Sequence, residues 1–180
     1  WNWPVGTGNV KTYPEIIYGN APWKPGTTVP GFPVLLSDMK NKYLATFDST
    51  VSADTSSSYN LSFDIFLCNA NPPTLSSRVW EIMIWNHAQN SWASKNPNLG
   101  TVNINGVDYK VHKTSGTLGL IVFERVNYTL LDTININLFL DWLVKNNHVS
   151  GSLYLADIEY GTEIRYGKGK TIINFSVRKS

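Results

Sequence analysis

One carboxylate, Glu81, stands inside the run "VWEIMIWN" (79 to 86), which otherwise reads as a buried strand. An ionised carboxylate buried without partners is costly, so its presence there asks for a purpose. Successive strand side chains point to opposite faces. Trp80, Ile82 and Ile84 therefore share one face, and Glu81, Met83 and Trp85 share the other. The same rule sets Asp64 of "SFDIF" opposite Phe63 and Ile65. In "YLADIEYGTEI" it sets Asp157, Glu159 and Glu163 on one face and Ala156, Ile158 and Tyr160 on the apolar one. Three strands thus each send at least one acid away from the core. If those strands are neighbours in one curved sheet, the acids converge. Two carboxylates flanking a sugar are what glycosidic cleavage uses: one attacks or activates, the other protonates the departing oxygen. The pattern alone serves a second reading equally well, in which these are solvated acids on a half-exposed sheet.

The elements that must position these acids are mostly strands. "YNLSFDIFLC" (59 to 68), "RVWEIMIWN" (78 to 86), "TVNINGVDYKVH" (101 to 112), "LGLIVFERV" (118 to 126), "SLYLADIEYG" (152 to 161) and "KTIINFSVRK" (170 to 179) all alternate. Turn material separates them: "NANPP" (69 to 73), a hairpin near Gly106, and "GKGK" (167 to 170). Pro-rich "APWKPGTTVPGFP" (21 to 33) is expected as a surface loop or edge segment. One segment changes period. "DTININLFLDWLVKNN" (132 to 147) places Ile136, Phe139, Leu140 and Leu143 at helical spacing, with Asp132 or Thr133 as cap and Gly151 beyond the end. One helix among many short strands points to a β-sandwich or jelly roll with the helix on an outer face. No repeat or second domain is visible, and residues 1–180 suit one domain.

Composition narrows the partners. The net charge is +2 and the fifteen Lys and Arg residues are scattered, so no nucleic-acid stripe or polybasic membrane patch is expected. No stretch reaches the length of a membrane span. Seven Trp and nine Tyr exceed what a core of this size needs and suit sugar rings, although ordinary packing can also absorb them. Trp1, Trp3 and Trp23 are candidates for the floor of a sugar groove. A single cysteine, Cys68, rules out an intramolecular disulfide; parity puts it on the acid side, as a small buried or half-buried thiol. His87 and His112 have no carboxylate or histidine at ligand spacing and are expected as solvated strand or loop residues, so no metal is implied. No G-x-S-x-G elbow is present. The chain starts at Trp1 without an initiator Met, and sequons occur at Asn60, Asn127 and Asn174. Both features fit a processed, extracellular protein.

Several motifs, in order, resemble one family. "WEIMIW" (80 to 85) looks like the nucleophile motif of family 12 glycoside hydrolases, mostly β-1,4-endoglucanases, and "YGTEI" (160 to 164) is similar to their acid/base motif. "FDIF" followed by "NANPP" resembles the strand whose aspartate sits beside the nucleophile. "YPEIIYGNAPW" (13 to 23) matches the segment after an early W-x-W strand, here "WNW" (1 to 3), and the closing helix falls in the expected place. The resemblance implies an all-β jelly roll of two packed antiparallel sheets, one of them a concave groove for a β-glucan chain, acting with retention as a monomer and without cofactor. It implies Glu81 as nucleophile, Glu163 as acid/base, Asp64 as the nucleophile's neighbour, and Met83 and Trp85 as groove-lining residues. The family usually carries a few dozen residues before W-x-W, including strands expected to be missing here, and often a disulfide. A jelly-roll xylanase with the same chemistry matches these motifs less well. A carbohydrate-binding module would not need two glutamates in one groove.

Overall fold

Alternating apolar and polar side chains draw most of the chain into strands, because only a pleat puts every second residue on a common face. The computed structural model describes residues 1–4, 8–24, 26–91, 93 and 97–180. Over these the strands are β1 (Asn2–Trp3), β2 (Glu15–Gly19), β3 (Val34–Leu35), β4 (Tyr43–Ala53), β5 (Ser58–Cys68), β6 (Arg78–Gln89), β7 (Thr101–Ile104), β8 (Val107–Thr114), β9 (Gly119–Arg125) and β10 (Leu131–Asn135). A helix α1 (Ile136–Lys145) and strands β11 (Tyr154–Leu155) and β12 (Asp157–Lys179) complete the chain. The 21–33 segment is a loop as expected; Pro25 within it lies outside the described residues.

The strands run in the order β10-β4-β12-β5-β6-β9-β8-β7, with β1 and β2 added to β12 and β11 to β5. The result is a strongly curled all-β jelly roll. Every pairing in this order is antiparallel except β6–β9, which is parallel. A parallel neighbour needs a long return path, and the segment holding the β7–β8 hairpin supplies it. That hairpin turns at Asn105 and Gly106, both at positive φ (53° and 84°), the conformation a two-residue hairpin requires.

β12 departs from the sequence reading. "GKGK" is not a turn; the strand runs through it. Its first part pairs with β2 and β5, and its second part with β4. A register shift between Ile164 and Tyr166, with φ of +101° at Gly167, carries it from one sheet to the other. Gly167 serves close approach as well: a Cβ there would lie 2.3 Å from Ser57 Oγ.

The helix is also shorter than its periodicity suggests. Residues 131–135 pair with β4 instead, because Asp132 takes a 2.6 Å hydrogen bond from Arg125 and Thr133 bonds Thr46 across the strands. Asn135 then caps the helix, its side chain accepting from the Asn137 N–H. Ile136, Phe139, Leu140 and Leu143 are buried, each contributing about 1.5–3 kcal/mol. Phe139 meets Tyr109 and Phe123 edge-on at 5.1 and 5.2 Å. The helix therefore backs β8 and β9 from the core side and leaves their other face clear.

Candidate active site

β5 is the spine of the site. Its odd residues Tyr59, Leu61, Phe63, Ile65 and Leu67 enter the main core. Its even residues Asn60, Ser62, Asp64 and Phe66 take the opposite, concave face. On one flank, Asn60 pairs with Glu163, Ser62 with Gly161 and Asp64 with Glu159 of β12. On the other, Ser62 pairs with Trp85, Asp64 with Met83 and Phe66 with Glu81 of β6. Glu163, Asp64 and Glu81 thus lie along one diagonal of three adjacent strands. Sheet twist draws one set of diagonal neighbours together, and the three carboxylates act on one another electrostatically.

Burial pushes the Glu81 carboxyl up to about 7; the nearby Glu163 adds to the rise and Arg78 opposes it. Asp64, 5% exposed, is raised well above the usual aspartate value by burial, then by Glu81 and Glu163, with Ser62 pulling the other way. The Ser62 hydroxyl donates to Asp64 Oδ1 at 3.3 Å. Close carboxylates resist joint ionisation, which adds to the rise that burial gives Asp64. Glu163 is held by its neighbours: Asn60 Nδ2 donates to its Oε2 at 2.5 Å, and Arg165 lies 3.8 Å from the same oxygen.

Asn60, Arg165, Arg78, Tyr13 and Glu15 were not foreseen as site residues. Asn60 and Arg165 share the parity of Asp64 and Glu163, and that signal was available. Tyr13 had none of its own. It packs over Gly161, where a Cβ would sit 2.7 Å from its ring and 2.4 Å from Pro14 O. Its hydroxyl donates to Ser62 O at 3.2 Å. The glycine of "YGTEI" is therefore the floor under this tyrosine, and Glu163 follows two residues later.

The model of the glycosyl hydrolase family 12 proteins matches residues 1–179. The chain belongs to glycosyl hydrolase family 12. It is 30% identical over 179 residues to "Endoglucanase S" of Pectobacterium parmentieri, covering 94% of this chain and 66% of that protein. It is also 30% identical over 168 residues to "Xyloglucan-specific endo-beta-1,4-glucanase A" of Aspergillus niger, covering 91% and 63%. The chain thus spans just under two thirds of the length of these curated relatives. The native family 12 xyloglucanase from Bacillus licheniformis superposes with a TM-score of 0.85 at 32% identity, over 100% of this chain and 80% of that one. Endoglucanase cel12A from Rhodothermus marinus, at 19% identity over 100% of this chain and 80% of that one, shares the fold with a TM-score of 0.79.

The aromatics of this family 12 chain divide by exposure. Trp23 is half-buried and meets Phe66, the residue that pairs with Glu81, edge-on at 4.5 Å. It borders a cavity of about 450 Å³ shared with Pro72, Pro73 and Leu75. A second cavity, about 290 Å³, lies beyond Glu163 and is lined by Ser58, Asn90, Ser91, Arg165 and Tyr166. Trp3 is 43% exposed and pairs with Gly167, four residues past Glu163. Trp1 packs on Tyr59 at 5.4 Å, as a structural residue. Met83 and Trp85 share the face of Glu81 as expected, yet are only 3% and 2% exposed, clustered with Val122, Leu120, Ala88 and Ala93. In this structure their side chains are covered by that cluster and offer no open ring face.

The histidines are corrected. His112 is not solvated; it is buried, 3.7 Å from Glu124, which also accepts from the Tyr128 hydroxyl at 2.8 Å. His87 is half-buried and stacks on Tyr59. Cross-strand neighbours that sequence spacing does not reveal supply both environments. Cys68 is buried with Phe66 and Ala156, as parity indicated. Among the described residues no group of three or more His, Cys, Asp or Glu is arranged to hold a metal.

Proposed function

We propose that this protein is a retaining endo-β-1,4-glucanase. The observation that carries the reading is the diagonal of Glu163, Asp64 and Glu81 across three neighbouring strands, with Glu163 near enough to raise Glu81. Glu81 attacks the anomeric carbon as its bond to the glycosidic oxygen breaks, and Glu163 gives that oxygen its proton. Glu163 then takes a proton from water, whose oxygen attacks the anomeric carbon and releases Glu81. Asn60 and Arg165 fix Glu163 Oε2, so the proton to be delivered rides on Oε1. Asp64 keeps a proton because it is more deeply buried than Glu81 and because Glu81 and Glu163 oppose its loss, so the nucleophile is the one that ionises. Retention requires the carboxyl groups of Glu81 and Glu163 to stand about 5–5.5 Å apart.

The substrate is a β-1,4-linked glucan, a class supported by the similarity to an endoglucanase, to a xyloglucan-specific endo-beta-1,4-glucanase and to the Bacillus licheniformis xyloglucanase. Such polymers do not cross membranes, so the site of action is extracellular and the protein works as a monomer on the chain. Of the three sequons, Asn127 and Asn174 are exposed, whereas Asn60 is fully buried against Glu163 and is no glycan acceptor in the folded protein. Reducing-sugar release from carboxymethyl-cellulose, mixed-linkage β-glucan, xyloglucan and xylan tests the reading. Release from at least one glucan with β-configured first products, followed by proton NMR, is expected. Cleavage of xylan alone, or binding without cleavage, overturns it.

A further inference from the structure

The concave face holds more acid than two-carboxylate cleavage uses. Glu159 pairs with Asp64 in the β5–β12 ladder and is 1% exposed. From the other side β2 brings Glu15, whose carboxyl hydrogen-bonds that of Glu159. Asp157, also buried, accepts from the Phe66 N–H at 3.1 Å. Glu159 Oε1 and Asp157 Oδ2 are buried and have no hydrogen-bond partner among the described residues. The groups acting on Glu159 are Asp157, Glu15 and Asp64, all acids. Lys24 acts on Glu15 from outside, and Tyr13 lies among Asp64, Glu159, Glu15 and Glu163. Beyond Asp64 stand Glu81 with Arg78, and Glu163 with Arg165.

Two carboxyl groups can share a hydrogen bond only if one carries a proton. Burial, then Asp157 and Glu15, pushes Glu159 up to about 11, while Glu15, half-buried and beside Lys24, is raised less. The proton therefore sits on Glu159 and the charge on Glu15. The charge on Glu15, across β12 from Asp64, opposes loss of the Asp64 proton, after burial, Glu81 and Glu163.

We infer that Glu159, together with Glu15, is a positioning residue for the cleavage: the pair holds one negative charge on Glu15, and that charge adds to burial, Glu81 and Glu163 in keeping Asp64 a neutral donor beside an ionised Glu81. This rests on the functional reading above for its role in turnover, but the coupling itself can be measured without turnover. Glu15→Gln removes the charge and keeps a hydrogen-bond partner for Glu159. Glu159→Gln keeps the charge on Glu15 and still donates to it. The measurements are the carboxyl carbon-13 NMR titration of Asp64 and the pH profile of kcat/KM on a soluble β-glucan. In Glu15→Gln the Asp64 midpoint and the acidic limb should both fall by roughly 0.5–1 pH unit, and in Glu159→Gln both should stay within about 0.2 unit of wild type. Either variant decides. A Glu15→Gln midpoint within about 0.2 unit of wild type, or a Glu159→Gln midpoint that moves by 0.5 unit or more, overturns the inference. A wild-type protein inactive on every glucan would instead defeat the functional reading, with the NMR midpoints still reporting on the coupling.

Discussion

From Asp157 to Thr162, β12 is buried on both faces; from Gly169 to Arg178, every second residue is exposed. Both stretches follow the same alternation in the same strand. In the second, Lys170, Asn174, Ser176 and Arg178 meet water and need no partners. In the first, the residues on the polar parity are Asp157, Glu159 and Gly161, enclosed by β2, β5 and Tyr13. The difference lies in what covers the strand. Burying a carboxylate is a net cost to folding, a cost for which the proposed cleavage would give a reason, whereas the polar residues of the second are surface.

Substitutions can break or sharpen this contrast. The largest effect is expected at Glu163, just past the buried stretch. Glu163→Gln should slow cleavage of polymeric glucan by about 10²–10⁴-fold, and much less on an aryl glycoside whose leaving group needs no proton. Glycosylation rates on the two substrates check this, and equal losses would remove the acid role. Next comes Gly161→Ala. The added methyl meets Pro14 O and the Tyr13 ring, so a loss of about 1–3 kcal/mol is expected and is read as a fall in Tm. A silent Gly161→Ala would mean that Tyr13 does not enclose the strand.

A smaller effect is the pH dependence of stability. Asp64, Glu81 and Glu159 bind protons more tightly folded than unfolded. Their contribution is therefore fully present below the ordinary carboxylate values near 4 and lost as pH rises. For Glu81 the loss runs up to about 7 and for Glu159 up to about 11. Tm should be higher at pH 5 than at pH 9, and Glu159→Gln should narrow that gap by at least roughly 2–4 °C. A gap unchanged in Glu159→Gln would place that proton elsewhere. The smallest effect belongs to the exposed stretch: Asn174→Ala should change stability by less than about 0.5 kcal/mol and leave kcat/KM at the wild-type value. Loss of activity there would erase the contrast.

Glu81, Asp64 and Glu163 were legible because each announces its face two residues at a time. Asn60 and Arg165 obey the same rule, but nothing local says that they touch Glu163 rather than water. β4 and β2 escaped the strand assignments, and the start of α1 was set four residues early, because ladder bonds from Thr133 and the Arg125–Asp132 pair outweigh helical spacing there. Met83 and Trp85 were placed on the correct face. Their burial beside Leu120 and Val122 follows from the parallel β6–β9 pairing, which links residues about forty apart along the chain.

By itself, the order of residues determined which side chains share a face, where the helix's apolar stripe runs, and which motifs mark the chain as a family 12 relative. These are short-range properties, set by a pleat of two and a turn of 3.6 residues. The tertiary structure alone decided how deep each acid lies, which acids face one another, and hence which of them keep their protons. Those outcomes depend on desolvation and charge–charge distance, and β2, β5, β6 and β12 bring the groups responsible together from opposite ends of the chain.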